Sequence, residues 1–227
     1  MLGKKILFVA TKRSGHHAIL SWFAKQMKET VIHHNDVDPY KLVDGEIHYF
    51  GGVKKTKYAG SDSKKIIYSF EDAKIDDINM VENHIEAESI IVLRDVRNTI
   101  ASLIRSTEKR SLKQRLAEST NAWFEYACEI LNGKKQYILF DKWFKDKAYR
   151  MWICDNFDIP FTDEGINFIP KNANGSSFDQ MKYQGRAQDM KVLERWKAYN
   201  NNSIFNSYCT NDLKHLNEKV FNCDFKR

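Results

Sequence analysis

The sequence predicts an α/β fold of three layers, in which helices cover both faces of a mostly parallel central sheet. Short apolar runs typical of buried strands alternate with amphipathic helical patterns along the 227 residues. Such alternation is typical of parallel sheets, because each crossover between strands passes through a helix. At this length, and with 42% apolar residues, the chain can bury the core of one domain. We therefore expect residues 1–227 to form a single domain.

The first strand and helix predict an anion-binding turn. Residues 4–10 follow a strand pattern and residues 18–28 a helical one, and residues 11–17 between them read Thr-Lys-Arg-Ser-Gly-His-His. Backbone N–H groups of such a turn point at one place, where the positive end of the helix dipole adds to them. Lys12 and Arg13 bring two full charges to the same place. The turn is predicted to hold a phosphate or sulfate group; the alternative is an ordinary turn with basic surface residues.

This turn differs from the two common nucleotide-binding fingerprints. A Walker A loop requires G-x-x-x-x-G-K-[ST], whereas here Gly15 stands alone and no Lys-Ser or Lys-Thr pair follows it. The G-x-G-x-x-G pattern of dinucleotide-binding proteins is also missing. ATPases, GTPases and Rossmann dehydrogenases are therefore disfavoured.

A second strand–helix junction predicts another anion contact. Residues 89–93 are apolar and lead directly into Arg94, and a helix is expected from near Asp95. Asp95, Asn98 and Ser102 share one helix face by their spacing. Open α/β sheets bind ligands at the carboxyl ends of their strands, which is where Arg94 lies. Arg94 with Ser102 would make a fork for an anion; the alternative is an Arg–Asp surface pair with a Ser that packs the helix.

The two junctions together resemble the sulfotransferases that use 3′-phosphoadenosine 5′-phosphosulfate (PAPS), whose fold is similar to that of the P-loop NTPases. The family's first motif is a strand followed by [K/R]-S-G-[T/S/N/H], and the second is a strand ending in R-[DN]-x-[RK]-[DN] with a Ser eight residues after the first Arg. The resemblance covers roughly residues 4–106. It implies a 5′-phosphosulfate site and a 3′-phosphate site. The first comprises Arg13, Ser14, Gly15, His16 and His17, and the second Arg94 and Ser102.

The chain departs from the family pattern at three places. Arg13 stands where many members have Lys, and an Arg cannot give up a proton. Lys12 or a His would therefore protonate the leaving group, if it needs a proton. His16 and His17 replace hydroxyl residues but can also donate hydrogen bonds. Ala18 replaces an aromatic residue that stacks on adenine, so the adenine partner is not identified.

Sulfuryl transfer needs two catalytic roles. Charge that grows on the leaving phosphate oxygen must be stabilised, a role that suits Arg13 and Lys12. A base must remove a proton from the acceptor. The resemblance favours Glu71, which follows the strand predicted at 66–70; an N-cap or surface carboxylate is the alternative for this residue.

Other candidate bases, and one more phosphate contact, come from elsewhere in the chain. His33, His34 and Glu46 compete with Glu71 for the role of the base. Family members close a basic, Gly-containing C-terminal loop over the 3′-phosphate, and Arg186 after Gly185 is the candidate there; a solvated surface Arg is the alternative. Right-handed crossovers would bring Gly15, Glu71 and Arg94 to one edge of the sheet.

Charge and composition bound the partners. The net charge of +6 suits PAPS as co-substrate and 3′,5′-ADP as product, and it would also suit an acidic acceptor. No basic run indicates nucleic acid. The acceptor would be a hydroxyl or an amine, with carbohydrate among the candidates. No metal is expected, because no obvious cluster of His and carboxylate residues is visible. With no apolar run near 20 residues and no signal peptide, we expect a cytoplasmic chain without a membrane partner. The oligomeric state is not predicted.

Two other functions stay open at this point. A P-loop-class kinase for nucleotides or small molecules would require ATP and Mg²⁺, and the missing Lys-Ser/Thr pair argues against it. A non-catalytic domain would bind PAPS or 3′,5′-ADP without transferring anything.

Periodicity also predicts elements away from these motifs. Residues 35–65 read as a long polar loop with a short hairpin around 47–50, and residues 155–186 as an extended loop. A strand is expected at 31–34 and another at 136–140. Helices are expected over 111–131, 142–154, 190–199 and 203–220. The apolar stripe of the helix at 111–131 is predicted to face the core.

Overall fold

A six-stranded sheet forms the centre of this computed structural model, which describes residues 3–50, 54–170, 176 and 178–222. The strands are β1 (Lys5–Ala10), β2 (Glu29–His34), β3 (Lys55–Tyr58), β4 (Ser61–Glu71), β5 (Glu88–Leu93) and β6 (Gln136–Leu139). Their order in the sheet is β3-β2-β4-β1-β5-β6. All neighbours run parallel except the β2–β3 pair. The predicted α/β fold with a mostly parallel sheet is confirmed.

Nine α-helices surround this sheet in the described ranges. They are α1 (His16–Gln26), α2 (Pro39–Val43), α3 (Ile75–Ile85), α4 (Val96–Arg105), α5 (Leu112–Leu131), α6 (Phe140–Lys145), α7 (Lys147–Asn156), α8 (Ser203–Tyr208) and α9 (Asn211–Asn222). Two short 3₁₀ helices lie at Ala187–Asp189 and Arg195–Tyr199. None of the described helices is both long enough and apolar enough to span a membrane.

The core lies on both faces of the central strands. Every residue of β1 from Ile6 to Ala10 is buried, and β5 is buried from Ser89 to Leu93. Consecutive burial shows that both faces are covered, as in a parallel sheet between helices. The stripe of α5 also faces inward, with Leu116, Trp123, Ala127 and Ile130 all buried.

The prediction of a loop over residues 35–65 is wrong in part. α2 begins after Asp38, whose carboxylate accepts hydrogen bonds from two backbone N–H groups of the first turn, and Pro39 is favoured at that position. β3 and the first half of β4 were missed because they are mostly exposed and carry no apolar run. The expected hairpin around 47–50 is replaced by an isolated bridge between Val37 and Tyr49.

Three predicted helices have different bounds. The helix expected over 142–154 is divided at Asp146, whose extended backbone ends α6 and whose side chain caps α7. The helix expected over 190–199 is reduced to the 3₁₀ turn Arg195–Tyr199. The helix expected over 203–220 becomes α8 and α9, because α8 ends at Cys209 with a non-helical backbone.

Gly60 lets the chain cross the beginning of β2 as it passes from β3 to β4. A Cβ atom at Gly60 would lie 2.3 Å from the backbone oxygen of Glu29, well inside van der Waals contact. The crossing is held by Thr30, whose hydroxyl accepts from Gly60 N at 3.1 Å and donates to Ser61 O at 2.9 Å. Only glycine fits this approach without displacing one of the two backbones.

We expect Gly60→Ala to lower the free energy of unfolding by about 1–3 kcal/mol, the usual cost of overpacking. Ser63→Ala, at an exposed position of β4, is the control and should change stability by less than about 0.5 kcal/mol. Urea unfolding followed by circular dichroism measures both. A Gly60→Ala variant as stable as the control would contradict the close approach of the two backbones.

Candidate active site

A cavity of about 510 Å³ opens at the carboxyl ends of the parallel strands. Gly15, Glu71 and Arg94, which follow or end β1, β4 and β5, all line it. The topology explains this convergence, because parallel strands present their carboxyl ends at the same edge of the sheet.

The β1–α1 turn has two residues in the left-handed backbone region, Arg13 with φ 65° and Gly15 with φ 82°. A Cβ atom at Gly15 would also lie 2.4 Å from the ring of Phe140. Gly15 is therefore required both for the turn and for packing against α6. α1 begins at His16, two residues before the predicted start, so His16 and His17 occupy its first turn. The N–H groups of a first helical turn lack intrahelical partners and are available to an anion.

The carboxylate of Asp72 holds the β1–α1 turn in place through two hydrogen bonds. Its Oδ1 accepts a hydrogen bond from the backbone N–H of Lys12 at 2.9 Å, and its Oδ2 accepts from the Ser119 hydroxyl of α5 at 2.8 Å. Burial raises the pKa of Asp72 to about 6, although the Lys12 N–H and the Ser119 hydroxyl favour its charged form. A carboxylate that follows β4 thus ties the anion-binding turn to the long helix of the core.

Two cationic side chains of the turn reach the cavity. Lys12 and Arg13 both line it. The Arg13 guanidinium donates to the Ser106 hydroxyl at 2.8 Å, which leaves further N–H groups for a ligand. The turn therefore combines free backbone donors with two positive charges, the arrangement predicted from the sequence.

His16, His17 and Glu71 form a compact group on the same wall. His16 Nε2 lies 3.3 Å from Glu71 Oε1, and His16 Nδ1 lies 3.3 Å from Ser14 Oγ. His17 Nε2 lies 2.8 Å from Asn35 Oδ1. Burial and the neighbouring His16 lower the pKa of His17 to about 4. Burial alone would raise the pKa of Glu71, but His16, His17 and Lys12 outweigh it and bring this pKa well below its usual value.

The expectation that His and carboxylate residues do not cluster is wrong. One ligand atom each from His16, His17 and Glu71 lie within 4.8 Å of one another, a spacing that a metal ion could use. The surroundings favour an anion instead. Lys12 and Arg13 line the same cavity, and the positive end of α1 points into it.

Arg94 connects the turn with the second motif. Its guanidinium donates to the Arg13 carbonyl at 3.1 Å, to the Ser102 hydroxyl at 3.2 Å and to the Val192 carbonyl at 2.5 Å. Its Nε is buried without a hydrogen-bond partner among the described residues. Ser102 is buried behind Arg94 and does not line the cavity, so this hydroxyl orients the guanidinium.

A basic residue from the C-terminal part of the chain does line the cavity, but it is Arg195 and not the predicted Arg186. Arg186 is exposed, stands over the ring of Tyr183 and does not line the cavity. Arg195 lines it, pairs with Asp179 and donates to the Ser176 hydroxyl at 2.8 Å. Burial and, to a smaller extent, the nearby charge of Arg195 lower the pKa of Arg94 to about 10, against the opposing effect of Asp141. The sequence offered no local sign of Arg195, because the segment that carries it is irregular.

Three of the four candidate bases lie outside the cavity. His33 is fully buried and its Nε2 lies 2.9 Å from the Ser69 hydroxyl, while His34 Nδ1 lies 2.7 Å from the Tyr49 hydroxyl. Glu46 is exposed beside Lys41. These three lie outside the cavity lining, whereas Glu71 is part of it.

Sequence reasoning missed Asp36. This residue lines the cavity, is 8% exposed and has a left-handed backbone with φ 49°. The sign that could have found it is its place, two residues after the end of β2, at the same sheet edge as Glu71.

Aromatic residues form the other wall of the cavity. Phe140, Trp143, Phe144 and Phe168 line it, and the Arg94 guanidinium lies 5.0 Å from the Phe140 ring centroid. Sequence reasoning missed this wall because three of these residues belong to α6, outside either motif.

The comparisons with known proteins give a likeness of fold. No protein-family model matches the chain, and no curated protein matches it by sequence. A crystal structure of mouse sulfotransferase SULT7A1 complexed with PAP is similar, with a TM-score of 0.53 and 12% sequence identity. The match covers 95% of this chain and 88% of that chain. The chain has a sulfotransferase fold. At this identity the likeness concerns the fold alone.

We expect Asp72→Ala and Asp72→Asn to change the free energy of unfolding in opposite directions. Asp72→Ala should cost about 1–3 kcal/mol of stability, because the Lys12 N–H loses its acceptor. In Asp72→Asn the amide oxygen can still accept from the Lys12 N–H and the amide nitrogen can donate to the Ser119 hydroxyl, while the buried titration is removed. The pKa of Asp72 is raised from 3.8 to about 6 by folding, so ionisation destabilises the folded parent as pH rises through this range.

The stability of Asp72→Asn relative to the parent should therefore increase from about pH 4 to pH 6 and then stay constant. Urea unfolding at several pH values measures this difference. A difference that is flat with pH would show that Asp72 titrates normally in the folded chain.

Proposed function

We propose that this protein transfers a sulfuryl group from PAPS to a hydroxyl or amine acceptor. The observation that carries the proposal is one cavity, in a sulfotransferase fold, where the β1–α1 turn and two arginines converge. Carbohydrates are among the candidate acceptors, since the cavity wall near Glu71 also carries Asn35 and Asp36.

The 5′-phosphosulfate would bind at the β1–α1 turn. The first-turn N–H groups of α1, with Lys12 and Arg13, supply donors and positive charge. His16 and His17 add ring nitrogens on the same wall. Ser14 is fully buried and contacts His16, so we assign it to support of that ring.

The 3′-phosphate would bind between Arg94 and Arg195. Both guanidinium groups line the cavity, and their charges repel each other. A phosphate would relieve this repulsion and replace the Val192 carbonyl as a partner of Arg94. Ser102 would hold Arg94 in place. Arg186 would need to move from its exposed position to take part, so we favour Arg195 for this role.

Adenine would pack on the aromatic wall. The rings of Phe140 and Phe144 are stacked at a centroid distance of 5.9 Å, and both face the cavity beside Trp143. An aromatic surface next to a 3′-phosphate site compensates for Ala18, which stands where relatives carry a stacking residue.

This arrangement favours a sulfotransferase over the alternatives. A P-loop kinase would need the Lys-Ser/Thr pair of a Walker A loop, which the β1–α1 turn lacks. A non-catalytic binding domain would not need carboxylates beside an anion site, whereas Glu71 and Asp36 both line this cavity.

We expect 3′,5′-ADP to stabilise the protein more than 5′-AMP does. At about 100 times its Kd, a ligand adds roughly 2.7 kcal/mol of stability, and the 3′-phosphate contacts lower the Kd. Thermal shift assays with 3′,5′-ADP, 5′-AMP and ATP with Mg²⁺ measure the order. Equal shifts from 3′,5′-ADP and 5′-AMP would rule out a 3′-phosphate site.

Variants locate that site. Arg94→Ala and Arg195→Ala should each weaken 3′,5′-ADP binding by about 1.5–3 kcal/mol, and Ser102→Ala by about 1 kcal/mol. The affinity of Arg186→Ala for 3′,5′-ADP is measured as well, to decide whether Arg186 or Arg195 contacts the 3′-phosphate. Calorimetry in which only Arg186→Ala loses affinity would return the 3′-phosphate contact to Arg186.

We expect Arg13→Ala to slow sulfuryl transfer by about 10²–10³, because Arg13 stabilises charge that grows in the transition state. Affinity for 3′,5′-ADP should fall less, since the backbone donors of the turn remain. Ser106→Ala removes only the hydroxyl partner of Arg13 and is the control. Release of 3′,5′-ADP from PAPS with a panel of sugars and phenols measures the rate. Equal losses in both variants would assign the effect to the position of Arg13 rather than its charge.

A further inference from the structure

We propose that Asp36 is the catalytic residue that accepts the proton of the acceptor, and that Glu71 instead orients the histidines of the donor site. This inference rests on the proposed sulfotransferase function and names a residue for its proton transfer.

The first argument is position. Asp36 lies beyond the end of β2, next to β4 in the sheet, and lines the same cavity as Lys12 and Arg13. Its carboxylate lies close enough to Glu71 to interact with both the backbone N–H and the carboxylate of that residue. Asp36 therefore lies in the cavity beside the turn, where the reacting end of a donor bound at the turn would be.

The second argument is the state of the cavity's carboxylates. Asp36, Glu71 and Glu108 all line it. Glu71 contacts His16 at 3.3 Å, and Glu108 is bonded to Arg110 at 2.8 Å. No ion pair joins Asp36 to any residue within the described ranges. A carboxylate without a cationic partner retains its basicity, whereas a paired one loses it.

The third argument is how firmly Asp36 is held. Its backbone N–H donates to the Ser69 hydroxyl at 3.2 Å, and its carbonyl accepts from the N–H of Phe50 at 2.9 Å. These contacts hold Asp36 in the left-handed region, with φ 49°. Asp is among the residues that tolerate this region, and the two hydrogen bonds fix the place of its side chain beside the cavity.

Electrostatics support the same division of roles. Burial and, after it, the neighbouring charge of Glu71 raise the pKa of Asp36 to about 6, against the opposing effects of Lys12 and His16. Burial would raise the pKa of Glu71, but the contact with His16 and the charge of Lys12 lower it below its usual value. Two neighbouring carboxyl groups with pKa values shifted apart are a common sign of distinct catalytic roles. A base is most effective when its pKa lies near the working pH.

The step balances as follows. An acceptor oxygen attacks sulfur, and a new O–S bond forms while the bond from sulfur to the bridging phosphate oxygen breaks. The electron pair of that bond leaves with the phosphate of 3′,5′-ADP, where Arg13 and Lys12 stabilise it. The acceptor's proton passes to the Asp36 carboxylate, which later returns it to water.

The test compares two isosteric variants, Asp36→Asn and Glu71→Gln, with Asp62→Asn as control. Asp62 is an exposed residue at the other end of β4. Asn also tolerates the left-handed backbone, so Asp36→Asn should keep the fold. Release of 3′,5′-ADP from PAPS is measured with water and with a panel of sugars and phenols as acceptors, over pH 5–8. Binding of 3′,5′-ADP is measured by calorimetry in parallel.

We expect Asp36→Asn to lower turnover by about 10²–10⁴ with nearly unchanged 3′,5′-ADP affinity, and Asp36→Glu to restore part of it. Turnover of the parent should rise with pH through the pKa of Asp36, which faces Glu71 from β4, Lys12 from the turn and His16 from α1. Asp36→Asn should lose this rise. Glu71→Gln should instead weaken 3′,5′-ADP binding.

Asp36→Asn with parental turnover, or Glu71→Gln with a lost pH dependence and unchanged affinity, would overturn the assignment and return the base to Glu71. In both cases the parent still binds 3′,5′-ADP, so the sulfotransferase function would stand. A parent that neither binds 3′,5′-ADP nor releases it from PAPS would overturn the function, and the role of Asp36 with it.

Discussion

The buried guanidinium of Arg94 is the interaction on which the site depends. It joins the β1–α1 turn, through the Arg13 carbonyl, to α4, through Ser102, and to the late irregular segment, through the Val192 carbonyl. These partners are far apart in the sequence, and one guanidinium contacts all three. A buried cation is costly unless its donors are satisfied, and here the Nε remains without a partner among the described residues. The site thus holds a cation that its own partners do not fully satisfy, which is the electrostatic condition for binding an anion.

Buried acidic residues near the ends of β2 and β4 complement the buried cation of Arg94. Asp36, Glu71 and Asp72 lie around the ends of β2 and β4, and burial opposes the charged form of each. Their surroundings make them different. Asp72 accepts two hydrogen bonds and serves the turn, Glu71 has histidines and Lys12 beside it, and Asp36 faces the cavity without an ion pair in the described part of the chain. The three acidic groups lie close together, and their partners decide their roles. Asp72 supports the turn, Glu71 orients the histidines, and Asp36 is left for the chemistry.

Features set by neighbours in the sequence could be predicted, and those set by packing could not. The turn with Gly15, the start of α4 after Asp95 and the burial of α5 follow from local pattern, and each is present. β3 was missed because an exposed edge strand carries no apolar alternation. Arg195 was missed because its place in the cavity is fixed by Asp179 and Ser176, at the end of an irregular segment. The cluster of His16, His17 and Glu71 forms only when β4 pairs beside β1, which spacing along the chain does not reveal.

A network of hydrogen bonds connects the His17 ring with the backbone of Asp36. His17 contacts Asn35, Asn35 accepts from the Ser69 hydroxyl, and that hydroxyl also accepts from the backbone of Asp36. A donor group that engages His17 would therefore act on the same chain of hydrogen bonds that holds Asp36. Because burial keeps the pKa of His17 low, the ring is neutral near pH 7, and its tautomer depends on the hydrogen bond with Asn35. Ser69, a fully buried residue outside the cavity lining, is thus the shared hydrogen-bond partner of Asn35 and of the Asp36 backbone.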